Sequence, residues 1–348
     1  MKERVKVFDI LRIIAAFSVV MLHSSASYWY DFPLDSKAFF AANLIDGLFR
    51  FGVPVFMMIS GALFLSGDSE VDTGRLLKKN VLRIAVIYLL WSVLYGLKDV
   101  IILIPYTDVN LKFAIKECIQ GKYHLWYLPL AIGMYLLVPI LKKWVQNSNE
   151  KQVRYFITAF VILQVARETL KTIFIGETAS TVFETLAFDL ICGYAGYFVC
   201  GYYLYTYPPK KSFRTVLYVL CVPAVIYNCI GSFFIQRIQG QRNGEIFNSF
   251  AVSTFILSIS LFSLMLSLKD KMSKDKERKI LTNLSKDTLG VYVIHVMLLE
   301  TKQMYIPAQT STVMIVLDIF VTGIAVFVVS ILVSSVLRRI PFIGKYIC

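Results

Sequence analysis

Long apolar runs recur along the whole chain, each separated from the next by a short charged stretch. A run of about 18 or more such residues is long enough to cross the hydrocarbon core of a bilayer as a helix, and soluble domains rarely contain one. The pattern therefore predicts an all-α integral membrane protein. Composition agrees: 57% of the side chains are hydrophobic, 17% are charged and the mean hydropathy is +0.64. Residues 1–28 carry basic residues ahead of an apolar run, but the run is long and lacks a small-residue cleavage site, so it reads as a retained first span.

The expected spans are 7–28, 47–66, 82–104, 124–144, 154–175, 186–206, 214–235, 249–268, 285–305 and 312–336, a bundle of about ten helices. Two are weak: 154–175 contains Arg167, Glu168 and Lys171, and 47–66 contains Arg50. Loop charge tests the count, because a missed helix would reverse the sign of every later loop. Of the 36 basic residues, 24 fall on one side, in the groups Lys2 to Lys6, Arg75 to Arg83, Lys142 to Arg154, Lys210 to Arg214, Lys269 to Lys286 and Arg338 to Lys345. The positive-inside rule then places both termini in the cytoplasm. The net charge of +13 reports this orientation; the basic residues form no stripe with interleaved aromatics, so nucleic acid is not the expected partner.

The six cysteines lack zinc or redox spacing and read as small packing residues, so no metal is expected. No internal repeat recurs, and residues 1–348 read as a single polytopic domain. The long polar stretch Lys269 to Asp287 is a solvated connector, or a surface for anionic headgroups or a phosphorylated cofactor.

Chemistry is sought where polar side chains interrupt the spans, since each costs roughly 2.5 to 3.5 kcal/mol on insertion scales. Arg12 and His23 lie eleven positions apart on the first span, nearly on one face and about 16 Å apart along the axis. Arg12 is read either as a snorkelling residue paired with Asp9 or as an anion ligand. His23 is read either as a buried imidazole with one hydrogen bond or as a general base. The topology puts His23, Arg50, His124 and Glu300 toward the outer half of the membrane, with Arg167, Glu168 and Asp189, and His295 near mid-depth. For Arg167 and Glu168 a structural ion pair is the preferred reading. Val53-Pro54 to Ser60-Gly61 reads as a kink followed by close helix packing, and Trp126-Tyr127 as interfacial anchors.

In order, Phe8 to Arg12 with His23 (Arg-x10-His), Arg50 with Val53-Pro54 and Phe56 to Gly61, His124 to Leu128, and Leu289 to His295 resemble the segments of the acyltransferase-3 family of membrane O-acyltransferases. The resemblance covers essentially the whole chain and is nearest the single-domain type similar to the enterobacterial common antigen O-acetyltransferase; Phe56-Met57-Met58 departs from the more usual paired phenylalanines. It implies transfer of an acyl group, often acetyl, from cytoplasmic acyl-CoA to a hydroxyl of a cell-surface glycan or lipid-linked saccharide, in a bacterial cytoplasmic membrane. Within it, His23 is the general base or acyl carrier, Glu300 is offered as the acidic partner, Arg12 pairs with coenzyme A phosphate, and Arg50, Ser60, His124, Trp126 and His295 are substrate-binding candidates. Membrane lipid is an expected partner, and a homo-oligomer is compatible with the sequence. The rival reading is a transporter of a small solute such as an amino acid, since polar residues in proline-broken spans also build transport paths and some membrane modules of this family accompany amino-acid racemases.

Overall fold

The computed structural model describes residues 5–103, 111–173, 193–273, 279–303, 311–341 and 344–347. Asp189, Cys192 and Cys348, with parts of the expected spans 154–175 and 186–206, lie outside them. The described residues are helical with no strand. This suits a bilayer, where each backbone amide must be satisfied within its own element.

In chain order the principal helices are α1 (Lys6–Asp31), α2 (Lys37–Phe49), α3 (Gly52–Leu65), α4 (Thr73–Leu103), α5 (Leu111–Gln120), α6 (Tyr127–Gln146), α7 (Glu150–Phe160, continued through Val161–Ala166 and Arg167–Ile173), α8 (Gly193–Thr206), α9 (Lys211–Gln239), α10 (Val252–Ser267), α11 (Lys279–Gln303) and α12 (Thr312–Leu337). Seven helices among the described residues are long and apolar enough to cross a membrane: α1, α2 with α3, α4, α6 with its preceding turn, α9, α10 with its preceding turn, and α12. Most described residues of the ten expected spans are helical, with interruptions at residues 50–51 and 249–251, but α7, α8 and α11 do not meet that standard. α11 carries several charges, while its stretch from Val291 to Val296 is buried on all sides, as for a helix enclosed by others.

The second span starts ten residues earlier than the sequence suggests. Ser36 caps α2, its hydroxyl accepting from the Phe39 amide at 3.0 Å, and the helix runs to a break at Arg50 and Phe51. Pro54 then sits in the first turn of α3, where its missing N–H leaves no gap. The expected close packing lies further on: a Cβ on Gly61 would stand 1.7 Å from the Phe198 carbonyl oxygen, and one on Gly201 would stand 2.0 Å from that of Met58. Small residues thus bring α3 and α8 into backbone contact.

α1 lies against α2, α3, α11 and α12, and Leu11, Ala15, Val20 and Met21 are fully buried on it. The reverse holds on α12, where Val313, Leu317, Val321, Ile324, Val328, Leu332 and Val336 are exposed at helical spacing. Apolar surface of that extent fits lipid rather than water. The polar residues of α1 face inward, and two cavities open along it.

Candidate functional site

The first cavity, of about 720 Å³, is lined by the C-terminal half of α1 (Val19 to Asp31), the α2–α3 break, the turn Tyr123–Trp126, the Gly244–Phe247 turn region and α11. His23, Arg50, His124, Trp126 and Glu300 all line it, with Trp29, Tyr30, Tyr123, Tyr127 and Tyr292 as aromatic wall and Asp31, Asp46 and Glu245 as further carboxylates. Residues that the sequence scatters over 278 positions are thereby brought together.

Hydrogen bonding fixes the protonation pattern of two histidines. Nδ1 of His295 faces two carbonyl oxygens, those of Val291 at 3.1 Å and Tyr292 at 2.8 Å, so it carries the proton. Nε2 of a neutral His295 is then an acceptor, and it lies 3.1 Å from Nδ1 of His23. Nδ1 of His23 also faces the Val19 carbonyl at 2.9 Å, so with two acceptors before it this nitrogen is N–H. The remaining nitrogen of His23, Nε2, keeps its lone pair, and among the described residues no hydrogen bond occupies it. A free lone pair on a residue that lines a cavity is what a general base or nucleophile requires.

His124 is 1% exposed, and its ring nitrogens make no well-formed hydrogen bond among the described residues, although the Val293 backbone stands beside the ring. Its ring stands edge-on to Tyr95 and His295, 5.1 and 5.2 Å between centroids, while its carbonyl accepts from the Tyr292 hydroxyl. Arg50 ends α2 and donates to Asp46 Oδ2 at 2.5 Å, with its guanidinium over the Phe247 ring. Trp126 packs on Tyr194. Although all three histidines of the chain meet here, no three His, Cys, Asp or Glu side chains among the described residues are disposed to hold a metal ion.

Glu300 lies in the cavity wall but is committed elsewhere. It pairs with Lys98 and, at 2.7 Å, with Lys122, which also pairs with Asp99 at 2.8 Å. Two lysines and two carboxylates close a square joining α4, the Tyr123–Trp126 turn and α11. Burial works against the Lys122 ammonium, but the bonds and charges of Asp99 and Glu300 outweigh it and hold the group above its ordinary range. Ser60 lines neither cavity, and His295 stands behind His23 rather than in the wall.

The second cavity, of about 710 Å³, is lined by Arg12, Lys78, Lys79, Arg83, Lys286 and Arg338, together with Ser285, Thr288, Leu289 and Tyr346. Arg12 bonds Asp9 at 3.2 Å, as its spacing suggests, and Asp9 also accepts from Ser285 at 2.7 Å; Arg338 reaches both oxygens of Asp287. Arg167 and Glu168 form the expected pair at 2.9 Å. The square of charges and the convergence of basic residues are not visible in the sequence. Apart from Arg12, the lysines and arginines report only orientation there, although the Lys269 to Asp287 connector does hint at an anion.

The family model described as an acyltransferase domain matches residues 5–339. A protein of Enterococcus faecalis named amino-acid racemase is 24% identical over 360 aligned positions, covering 98% of this chain and 47% of that relative, so the chain spans about half the length of the curated relative it matches. No solved structure matches it. A family model that matches nearly the full chain, over a fold of packed apolar helices, makes this protein a member of the acyltransferase-3 family of membrane proteins.

Proposed function

We propose that the chain transfers an acyl group, acetyl in the first instance, from acyl-CoA bound at the basic cavity to a hydroxyl of a cell-surface glycan or lipid-linked saccharide held in the aromatic cavity. The observation that carries this reading is the His23 Nε2 lone pair, free of hydrogen bonds among the described residues on a side chain that lines a cavity large enough for a sugar residue, while Nδ1–H is already spent. Nε2 takes the proton of the acceptor hydroxyl as its oxygen attacks the thioester carbonyl. The tetrahedral oxyanion needs donors, and Arg50 and His124 on the same wall are the candidates. As the C–S bond breaks, the thiolate recovers the proton from His23. Attack by Nε2 itself on the thioester, giving an acyl-imidazole that the hydroxyl then opens, uses the same atoms.

Six cations around the other cavity suit the diphosphate and ribose phosphate of coenzyme A, Arg12 most of all because a guanidinium pairs phosphate with two bonds. The axial separation of Arg12 and His23, about 16 Å, is of the order spanned by an extended pantetheine arm. The same reading has the protein in a bacterial cytoplasmic membrane, as the family resemblance implies, with both termini inside, an orientation that the loop charges support. Membranes containing the chain, supplied with radiolabelled acetyl-CoA, are expected to move label into the lipid or glycan fraction. With His23→Ala the incorporation disappears while the inserted protein remains, and normal labelling by that variant sinks the role of His23.

A second reading, uptake of a small solute such as an amino acid, is favoured by the relative named amino-acid racemase, which aligns with 98% of this chain. Solute accumulation in vesicles without coenzyme A distinguishes it.

A further inference from the structure

His295 is fully buried, sits outside both cavity walls and has every ring nitrogen engaged. An ordinary satisfied core histidine holding α11 to α1 would look similar. Two features separate it from that role. Its bond ends on a nitrogen of His23, the residue that faces the cavity, and it is the only ring bonded to His23 among the described residues. It is also held from a third helix: Tyr95 on α4 donates to the Val293 carbonyl at 2.9 Å and accepts from the Met297 amide at 3.0 Å, bracketing the turn that carries His295.

Where an imidazole works as a base, a second group normally fixes its tautomer and stabilises the imidazolium, most often a carboxylate. Here no carboxylate hydrogen-bonds to any of the three histidine rings among the described residues, and Glu300 is spent on Lys98 and Lys122. We infer that His295 takes that place as the positioning residue of His23, fixing its tautomer together with the Val19 carbonyl and holding its second proton during transfer. This rests on the reading of His23 as the base.

His23 Nε2 gains the hydroxyl proton as the C–O bond to the acyl carbon forms. The Nδ1 proton of His23 crosses the 3.1 Å hydrogen bond to Nε2 of His295. His23 is then neutral with its proton on Nε2, and the positive charge rests on His295, whose Nδ1–H is already directed at two carbonyl oxygens. When the C–S bond breaks, Nε2 of His23 protonates the thiolate and His295 returns its proton to Nδ1. No group beyond the two rings, acceptor and thioester is required.

The chain contains three histidines, so nitrogen spectroscopy on the purified full-length protein in lipid, labelled with heavy-nitrogen histidine, resolves each ring. Assignment uses His124→Gln and His295→Gln. His23 and His295 are expected as Nδ1–H tautomers near neutral pH; His295→Ala leaves the Val19 carbonyl as acceptor for His23 Nδ1–H, so the expected change is a shift of the His23 Nδ1–H signal as one of its two acceptors goes. Finding the His23 proton on Nε2 in the wild type, or an unmoved His23 Nδ1–H signal in His295→Ala, overturns the inference.

Transfer from radiolabelled acetyl-CoA supplies the second arm. Gln can accept from His23 through Oε1 but cannot carry the proton, so His295→Gln is expected to lower turnover about 10-fold and His295→Ala about 100-fold, with donor KM unchanged. Wild-type turnover in both variants, alongside an inactive His23→Ala, overturns the relay and leaves the acyl-transfer reading standing. Normal labelling by His23→Ala defeats the base instead, while the tautomer measurement still decides the pairing.

Discussion

The two cavities are nearly equal in size, about 710 and 720 Å³, and α1 contributes to both, yet their chemistry is opposed. One has six cationic residues in its wall and no carboxylate; the other has four carboxylates, one arginine, two histidines and a wall of aromatic rings. No residue lines both. A cavity of the first kind favours a polyanion through charge and bidentate phosphate pairing. The second offers ring faces and acceptors to a polyhydroxylated molecule and opposes an anionic one. In the proposed function this difference divides binding from chemistry along a single helix, with Arg12 assigned to a site that grips and His23 to a site that reacts.

The sharpest way to break that division is His23→Ala. Loss of the base is expected to cost turnover about 1,000-fold, within the range that a general base contributes, while donor affinity stays within a factor of about two. Equilibrium binding of radiolabelled acetyl-CoA beside single-turnover transfer separates the two quantities. A parallel loss of donor binding means that His23 also belongs to the gripping site, and the division fails.

Arg12→Ala tests the other half. Removing a charge-assisted bidentate contact worth roughly 1.5 to 3 kcal/mol is expected to raise donor KM about 10- to 100-fold with kcat little changed. Asp9, which Arg12 now neutralises, is left buried with Ser285 as a partner, so Arg12→Lys is the companion that restores the charge and part of the affinity. An unchanged KM in Arg12→Ala removes the phosphate contact from the proposal. Ionic strength gives a smaller effect of the same kind. Raising salt from about 0.05 to about 0.5 M shortens the screening length several-fold and is expected to weaken donor binding several-fold, with little change in single-turnover rate at saturating donor.

Much of this contrast was legible in sequence, but unevenly. The membrane class followed from run length alone, and the Arg12–Asp9 and Arg167–Glu168 pairs followed from local spacing, because contacts between near neighbours depend on backbone geometry that the helix supplies. The convergence of His23, Arg50, His124 and Glu300 was anticipated by their shared depth, which topology sets. Long-range pairings were not accessible. Nothing local says that Glu300 meets Lys98 and Lys122, or that His295 stands behind His23 rather than in the wall, because the rotation of α11 about its own axis decides both. Apart from Arg12, and the connector containing Lys286 that hinted at an anion, the basic residues of the second cavity were read only for orientation, since a one-dimensional count cannot show that Lys78, Lys286 and Arg338 share a wall. The early start of α2 was missed because residues 37–46 mix apolar with polar side chains, Asn43 among them, and Asn43 is satisfied only across the bundle, by Cys229, Ser232 and Gln236.

The smallest expected effect tests whether the charged square belongs to the reacting cavity or merely borders it. Lys122 directly precedes the Tyr123–Trp126 turn that carries His124, and its side chain ties that turn to Asp99 on α4 and Glu300 on α11. In Lys122→Gln, Lys98 still pairs with Glu300 and stands near Asp99, so no carboxylate loses both cations. All four groups are a fifth to a quarter exposed, which limits the contribution of the pair to about 1 kcal/mol after screening. The loss is expected to lower the thermal midpoint by a few degrees and turnover about two- to five-fold, through a looser His124, without moving donor KM. If turnover instead falls as far as in His23→Ala, Lys122 acts on the reacting groups directly, and the outer wall has to be read as holding a working cation as well as a base.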